Sequence, residues 1–301
     1  METDTVPDLK IGKLFRCHLT DWFAIVGLLA LWGACQVITP FQRYVGAANF
    51  TTASIMYPYK SNTIPFQSVP AIALLVPLFF IFVHFFHRRS VRDLHHAFLG
   101  LLTTVALTAL VTDAIKIGIG RPRPHFYARC FGSTTAIAQY DNIGNVICRT
   151  PPALMKEAYK SFPSGHTSWS FAGLGYLSMY LAGKLGVFDH GGHSWKLFPV
   201  VLPVLGATFV AITRVDDYWH HWTDVCTGAA IGLLSAYFCY RQHFPSLFDD
   251  APSIPYAHRP RAVSSQSSSQ TNARQSQALD RDSSKEMTND LERGSSQIPM
   301  L

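Results

Sequence analysis

Histidines, aspartates and an arginine are concentrated in the segment RVDDYWHHWTDV, residues 214–225. His220 and Asp224 are four residues apart, so a helix that begins before His220 would place both on one face. The carboxylate could then orient the imidazole, and one ring nitrogen would stay available as a nucleophile. The alternative is a metal site, with ligands from His220, His221, Asp224 and either Asp216 or Asp217. No CxxC or HExxH spacing elsewhere accompanies that alternative.

A second stretch, SFPSGHTSWSF at residues 161–171, has a turn followed directly by an apolar run. If a helix begins there, the backbone N–H groups of its first turn form an anion site. Ser164 adds a hydroxyl donor to this site, and Gly165, which has no side chain, allows the anion to approach closely. His166 would lie beside a bound anion and could pass it a proton. The alternative is a plain helix cap followed by an interfacial histidine.

A third stretch, DAIKIGIGRPRPHF at residues 113–126, contributes positive charge. Lys116, Arg121 and Arg123 follow an apolar run that glycines and prolines bring to an end. The guanidinium fork of arginine fits phosphate oxygens. A basic anchor for lipid headgroups is the alternative, and Asp113 is expected to pair with Lys116 one turn away.

The elements that must position these residues are six runs without Asp, Glu, Lys or Arg. Each run is close to the roughly 20 residues that cross a bilayer core. They are Trp22–Thr39, Val69–Phe86, Ala97–Thr112, Thr167–Gly183, Leu197–Thr213 and Val225–Tyr240. With 48% apolar and 15% charged residues in 301 positions, we predict an all-α membrane protein with six transmembrane helices.

The same pattern divides the chain into three parts. Residues 1–21 are predicted to be a cytoplasmic N-terminal segment, and residues 22–244 the membrane domain that holds the site. Residues 245–301 are rich in Ser and Gln and lack apolar periodicity, so we expect a disordered cytoplasmic tail.

Orientation follows from the basic residues in short connections. Arg88, Arg89 and Arg92 lie between the second and third runs, which makes that connection cytoplasmic. Alternation then places both termini in the cytoplasm and all three motif stretches at the lumenal or extracellular face. The loop 118–166 on that face is nevertheless basic, and an anionic ligand would explain its charge.

Two further features concern the predicted lumenal loops. Cys130 and Cys148 share one loop, where an oxidising compartment would allow a disulfide. Asn49, in Asn-Phe-Thr, is a candidate for N-glycosylation, although it lies close to the first span.

Together the three stretches assemble cations, a helix N-terminus, two histidines and a carboxylate at one membrane face. That set suits hydrolysis of a phosphate ester, with preorganised donors rather than Mg²⁺ meeting the charge on phosphorus.

The three stretches also resemble a known family signature. The first part is Lys116 followed, after six intervening residues, by Arg123-Pro124, and the second is Pro163-Ser164-Gly165-His166. The third is Arg214, then His220 after five intervening residues and Asp224 after three more. Over roughly residues 20 to 245 the chain resembles the type 2 phosphatidic acid phosphatases, or lipid phosphate phosphatases, relatives of the vanadium haloperoxidases. Among these it looks closest to the eukaryotic phosphatidate and diacylglycerol pyrophosphate phosphatases. One departure is Thr213, where the family often has serine; the hydroxyl is kept.

The resemblance implies a role for each residue. His220 would attack phosphorus and form a phosphohistidine, Asp224 would support it, and His166 would protonate the leaving oxygen. The implied phosphate-binding residues are Lys116, Arg123, Ser164, Gly165 and Arg214. Arg121 is a second candidate for the place of Arg123, His221 is a bystander, and no metal or other cofactor is expected.

A pocket at span ends suits lipid phosphates, so phosphatidate, lysophosphatidate and diacylglycerol pyrophosphate are the expected substrates, and no nucleic acid is expected as a partner. Alternatives are an inactive protein that binds or transfers anionic lipids and a transporter, which would need ionisable groups along a path through the bilayer. The plasma membrane, Golgi, a vacuolar membrane and the endoplasmic reticulum all fit the topology. Assembly into a homo-oligomer is left open.

Overall fold

The structure is a computed structural model that describes residues 11–47, 53–189 and 191–258. Within these ranges the regular structure is helical, apart from one isolated bridge between Tyr140 and Val146. The α-helices are α1 Ile11–Cys17, α2 Leu19–Val37, α3 Ser68–Arg88 (π-helical over Ala71–Leu75), α4 Val91–Ile119, α5 Phe126–Phe131, α6 Pro152–Met155, α7 Gly165–Leu185, α8 Leu197–Asp216 and α9 Trp222–His243. Asn49 and most of the predicted tail lie outside the described residues.

Each of the six predicted spans coincides with a long helix, namely α2, α3, α4, α7, α8 or α9. In the described ranges, four helical stretches are long and apolar enough to cross a membrane: Leu19–Val37, Ser68–Arg88, Val91–Ile119 and Ser194–Asp216. Helices α7 and α9 have 21 and 22 residues but are less apolar. Helix α7 is less apolar because of its position in the bundle. It is buried along almost its whole length, and its Ser, Thr and Gly residues face other helices.

Helix α7 is central in the bundle and packs against α4, α8 and α9. Two glycines on α9 allow one of these contacts to be close. A Cβ atom at Gly228 would lie 2.7 Å from the Ser164 carbonyl oxygen, and one at Gly232 would collide with the Ser168 carbonyl oxygen. The backbones of α7 and α9 therefore touch, and the N-terminal ends of both helices lie side by side.

The end of α4 determines where the basic motif leaves the bundle. Helix α4 stops at Gly120, whose φ of 57° lies in the left-handed region that glycine adopts readily. A Cβ atom at this position would also collide with the Phe41 carbonyl oxygen. Arg121 and Arg123 follow at once, so this turn directs them away from the α4 axis.

The connection between α4 and α7 contributes most of a small second core, to which Val45 and Ile55 are added. Its buried apolar residues include Phe126, Tyr127, Phe131, Met155 and Tyr159, and Cys130 forms a disulfide with Cys148. Two backbone hydrogen bonds tie its first and last parts together: Arg123 N–H donates to Ala158 (2.9 Å) and Ser161 N–H to Arg121 (3.1 Å). The basic motif is thereby held against the segment that leads into α7.

A buried carboxylate joins α4 and α7 at the opposite end of the bundle. Asp93 forms an ion pair with Lys184 and accepts a hydrogen bond from the Tyr180 hydroxyl at 2.8 Å. Lys184 also donates to the Ser253 carbonyl at 2.6 Å. A buried ion pair with further hydrogen bonds defines one relative position of α4 and α7. Through Ser253, the same group of contacts includes the segment that follows α9.

We expect Gly232→Ala to lower the thermal midpoint of the protein in detergent by several degrees. The added methyl group must push α9 away from α7, and overpacking of this kind costs about 1–3 kcal/mol. Gly27→Ala is the matched control, because nothing lies within 4 Å of a Cβ at that helical position. Equal midpoints for the two variants would contradict the close approach of α9 to α7.

Candidate active site

The three motif stretches meet at one end of the bundle, where α4 and α8 end and α7 and α9 begin. A cavity of about 340 Å³ opens between these helix ends and the connecting segments. Five of the predicted site residues line it: Lys116, Arg123, Gly165, His166 and His220. Three more are fully buried and do not line it: Ser164, Arg214 and Asp224.

His220 lies in the connection between α8 and α9. Its Nδ1 is 2.6 Å from the Ser161 carbonyl oxygen, so Nδ1–H donates there and Nε2 is the nitrogen with a lone pair. The condition that would place His220 and Asp224 on one helical face is not met, because α9 begins at Trp222. The nearest Asp224 oxygen is 3.8 Å from Nδ1, beyond hydrogen-bond distance.

The surroundings of His220 keep its ring uncharged. Burial lowers the pKa of His220 to about 4; the nearby Asp224 carboxylate opposes this shift and the charge of Arg123 reinforces it. At neutral pH the imidazole is therefore neutral, which is the form that can act as a nucleophile or base.

Asp224 gathers several donors at the start of α9. Its Oδ2 accepts from the Ser161 hydroxyl at 2.6 Å and from the His221 N–H at 3.0 Å, and lies 3.2 Å from His221 Nδ1. Its Oδ1 accepts from Arg121 at 2.5 Å. His221, expected to be a bystander, is thus part of the capping arrangement of α9. Asp224 holds Ser161, and the Ser161 carbonyl in turn holds the His220 ring.

Of the two arginines in the RPRP repeat, Arg123 is the one that lines the cavity. Its Nε donates to the Glu157 carbonyl at 2.7 Å, and its guanidinium lies 4.7 Å from the centre of the Trp219 ring. Burial lowers the pKa of Arg123 to about 10, which leaves it charged at neutral pH. Arg121 instead binds Asp224 and the Thr223 hydroxyl.

Lys116 lies against the first turn of α7. Its Nζ is 3.1 Å from Asp113, as the spacing predicts, and a Cβ atom at Gly165 would lie 3.2 Å from the same Nζ. The absence of a side chain at Gly165 therefore lets the ammonium approach the N–H groups that open α7. Asp113 also accepts from Trp32 (2.8 Å) and Gln36 (2.7 Å), which ties α2 to this end of α4.

Arg214 is fully buried in the last turn of α8. Its Nε and Nη2 donate to the Thr213 hydroxyl at 3.1 and 2.8 Å. Nη2 also donates to Asp217 at 3.1 Å, and Nη1 donates to the Asn62 side-chain oxygen at 2.8 Å. Thr213 is thus the acceptor that orients the guanidinium, and any hydroxyl residue could serve. Asn62 lines the cavity, so it connects Arg214 to the space in which a ligand would lie.

His166 is the second residue of α7 and lines the same cavity as His220. Its Nε2 is 3.1 Å from the Ile64 carbonyl oxygen, and its ring packs against Phe66 with centroids 5.5 Å apart. Two imidazoles on different elements are therefore available to one bound group.

Sequence reasoning missed several residues of this cavity. Glu157 forms ion pairs with Lys160 at 2.7 Å and with Arg123 at 3.6 Å. The other missed residues that line the cavity include Gln36, Asn62, Phe66, Trp169 and Trp219. Gln36, Asn62 and Phe66 lie outside the three motif stretches, whereas Trp169 and Trp219 lie inside them but were not singled out as site residues. A lone glutamate among the basic residues of loop 118–166 was the available signal for Glu157.

Several ligand candidates of the alternative metal site have protein partners. Asp217 binds Arg214 and the N–H and hydroxyl of Thr63 at 2.7 and 2.8 Å. His221 lies 3.2 Å from Asp224 through Nδ1 and 2.9 Å from the Ser54 carbonyl through Nε2. Among the described residues, the cluster of side chains close enough to share a metal ion lies elsewhere, at the far end of α4. It consists of His18, His95 and His96.

Comparison with known proteins identifies the family of the chain. The model of the PAP2 superfamily matches residues 97–247, which contain all eight predicted catalytic and phosphate-binding residues. The chain is 46% identical to lipid phosphate phosphatase 1 of Arabidopsis thaliana over 96% of this chain and 88% of that protein. It is 50% identical to lipid phosphate phosphatase 2 of the same plant, over 81% of this chain and 83% of that protein.

A more distant relative is diacylglycerol pyrophosphate phosphatase 1 of Saccharomyces cerevisiae, 31% identical over 82% of this chain and 86% of that protein. No solved structure matches the chain. The chain therefore belongs to the PAP2 superfamily. With its four apolar helices it is a membrane hydrolase of that family.

We expect Thr213→Val to destabilise the protein by about 1–3 kcal/mol, because it removes a hydroxyl to which a buried guanidinium donates twice. Thr213→Ser keeps the acceptor and should cost less than about 1 kcal/mol. Thermal midpoints in detergent would measure both changes. A serine variant as unstable as the valine variant would show that the methyl group of Thr213, and not its hydroxyl, is what matters.

Proposed function

We propose that this protein hydrolyses lipid phosphates without a metal ion, through a phosphohistidine on His220. The observation that carries the proposal is the convergence of three cationic side chains, two histidines and the first turn of α7 on one cavity. The names of the relatives support the substrate class, because they describe lipid phosphate and diacylglycerol pyrophosphate phosphatases. Phosphatidate, lysophosphatidate and diacylglycerol pyrophosphate are the proposed substrates.

In the proposed complex the phosphate lies between Lys116, Arg123 and the N–H groups at Gly165. Arginine and lysine donate to its equatorial oxygens, and the N-terminus of α7 favours negative charge. Arg214 reaches the same oxygens once its Nη1 leaves Asn62 or shares that hydrogen bond. Lys116, Arg123 and the N–H groups of α7 already border the cavity, so little reorganisation of these donors is needed as charge develops on phosphorus.

Two covalent steps follow. Nε2 of His220 attacks phosphorus, an N–P bond forms, and the bond to the lipid oxygen breaks while His166, which the bound phosphate anion brings into its protonated form, gives that oxygen a proton. Water then attacks the phosphohistidine, His166 accepts a proton from it, and inorganic phosphate leaves with His220 restored. The Ser161 carbonyl holds Nδ1–H throughout, and so keeps Nε2 directed at phosphorus.

The proposal includes six transmembrane helices, α2, α3, α4, α7, α8 and α9, with the cavity at the lumenal or extracellular face. Arg88, Arg89 and Arg92 at the other end support this orientation by the positive-inside rule, as does the disulfide at the cavity end. Both termini would be cytoplasmic, in a plasma, Golgi, vacuolar or endoplasmic reticulum membrane. Cavity-lining Cys35 and Gln36 lie at the end of α2, whose outer face is exposed and apolar.

The wild-type protein should release phosphate from phosphatidate in detergent micelles with excess EDTA, and His220→Ala should be at least about a thousandfold slower. His87→Gln, which changes an exposed histidine at the end of α3, should keep the wild-type rate. Labelled substrate should leave acid-labile phosphate on the wild type and none on His220→Ala. Loss of activity with EDTA would favour the alternative metal site. Inactivity of the wild type toward every lipid phosphate would favour the lipid-binding alternative.

Glu157→Gln should lower KM for phosphatidate two- to fivefold, with kcat nearly unchanged. The Glu157 carboxylate is half exposed and competes with the substrate phosphate for Arg123 and Lys160, an interaction worth up to about 1 kcal/mol. Asp216→Asn removes an exposed charge at the same end of the molecule and should leave KM unchanged. A raised KM in Glu157→Gln would show that Glu157 positions Arg123 instead.

A further inference from the structure

Four histidines meet at the end of the bundle opposite the candidate active site. His18 lies at the junction of α1 and α2, His95 and His96 in the first turns of α4, and His243 at the end of α9. Ring centroids are 5.1 Å apart for His18 and His95, 4.9 Å for His18 and His96, and 5.4 Å for His95 and His96. His96 and Lys116 are 20 residues apart in α4, which corresponds to about 30 Å along the helix axis.

The ring nitrogens of three of these histidines are close enough together to share a metal ion. One ligand atom from each of His18, His95 and His96 lies within 4.8 Å of the other two. At metal–nitrogen distances of about 2.0–2.1 Å, ligand atoms in a tetrahedral zinc site stand about 3.3 Å apart. Small rotations of the three side chains would therefore bring the nitrogens to bonding distance, with a fourth position open to water.

The neighbours of these rings resemble the partners of metal-bound histidines. Such a ligand usually gives its second N–H to a carboxylate or other acceptor, which fixes the ring. His18 Nδ1 is 2.7 Å from Asp21, and that bond assigns Nε2 to the metal. His96 Nδ1 lies 3.2 Å from His243 Nδ1, and we assign Nε2 of His96 to the metal.

His95 supplies the strongest indication. Both of its ring nitrogens are shielded from solvent and have no hydrogen-bond partner among the described residues. Leaving a buried polar group unsatisfied costs about 1–3 kcal/mol, so such groups in proteins usually have a ligand or water. A cation bound to one nitrogen of His95 would satisfy that nitrogen.

We propose that His18, His95 and His96 bind a divalent first-row transition metal ion, of which Zn²⁺ is the representative. Imidazole nitrogens suit this class of ion and not Mg²⁺ or Ca²⁺. The ion fastens the N-terminus of α2 to that of α4. Because Cys35 and Gln36 at the other end of α2 line the active-site cavity, it also steadies one wall of that cavity. The three ligands lie outside residues 97–247, so the site is separate from the part that defines the family.

The test uses the full chain without a polyhistidine tag, purified in detergent, stripped with EDTA and freed of the chelator. After addition of Zn²⁺ and desalting, elemental analysis gives zinc per chain, and competition with a zinc-binding dye gives Kd. We expect one zinc in the wild type, in His87→Gln and in His220→Ala, which excludes the active-site histidines. His18→Asn and His95→Gln should weaken binding at least a hundredfold.

A wild type that retains no zinc after desalting, or variants at His18 and His95 that bind it as tightly as the wild type, would overturn the proposal. If either variant aggregates, the wild type alone decides. Modification of His18, His95 and His96 by diethyl pyrocarbonate, read by mass spectrometry, should fall several-fold with Zn²⁺ and not with Mg²⁺. Equal modification with both ions would also reject the site.

Discussion

The backbone N–H of Ser164 donates a hydrogen bond to the carbonyl oxygen of Asp224 at 3.0 Å, and the geometry of the site depends on this link. It joins the N-terminal ends of α7 and α9, which contribute two of the three motif stretches. The link is possible because glycines bring the two backbones into contact along the helices behind it. Two helix N-termini, each with a partial positive charge, consequently lie side by side at the cavity.

Positive charge gathered in this way would be destabilising without compensation, and each basic side chain at the site has an acidic partner. The pairs are Lys116 with Asp113, Arg214 with Asp217, Arg121 with Asp224 and Arg123 with Glu157. Asp217 and Asp224 are completely buried and fixed by further hydrogen bonds, whereas the Glu157 side chain is 49% exposed. An arriving phosphate can therefore displace Glu157 with the least change in structure.

The sequence predicts the long helices well, because uncharged runs bounded by charge and glycine leave few alternatives. It also distinguishes Arg123 from Arg121 by spacing, and the structure brings Arg123 to the cavity. What it could not predict are contacts between distant loops. Asn62, whose amide meets Arg214, belongs to a segment with no motif. Ser161 opens the second motif stretch, but nothing in its spacing indicates that its backbone carbonyl holds His220. The start of α9 is set by His221 and Asp224, which cap the helix, and local spacing does not determine that choice.

The cavity has walls of two origins. Its reactive side comes from residues within 97–247, whereas Cys35, Gln36, Asn62 and Phe66 come from the first quarter of the chain. The groups that would react and the groups that shape the entrance are thus carried by separate segments that meet only in the folded protein. A chain built in this way can change which molecules enter by altering its first helices, and the residues that perform the chemistry need not change.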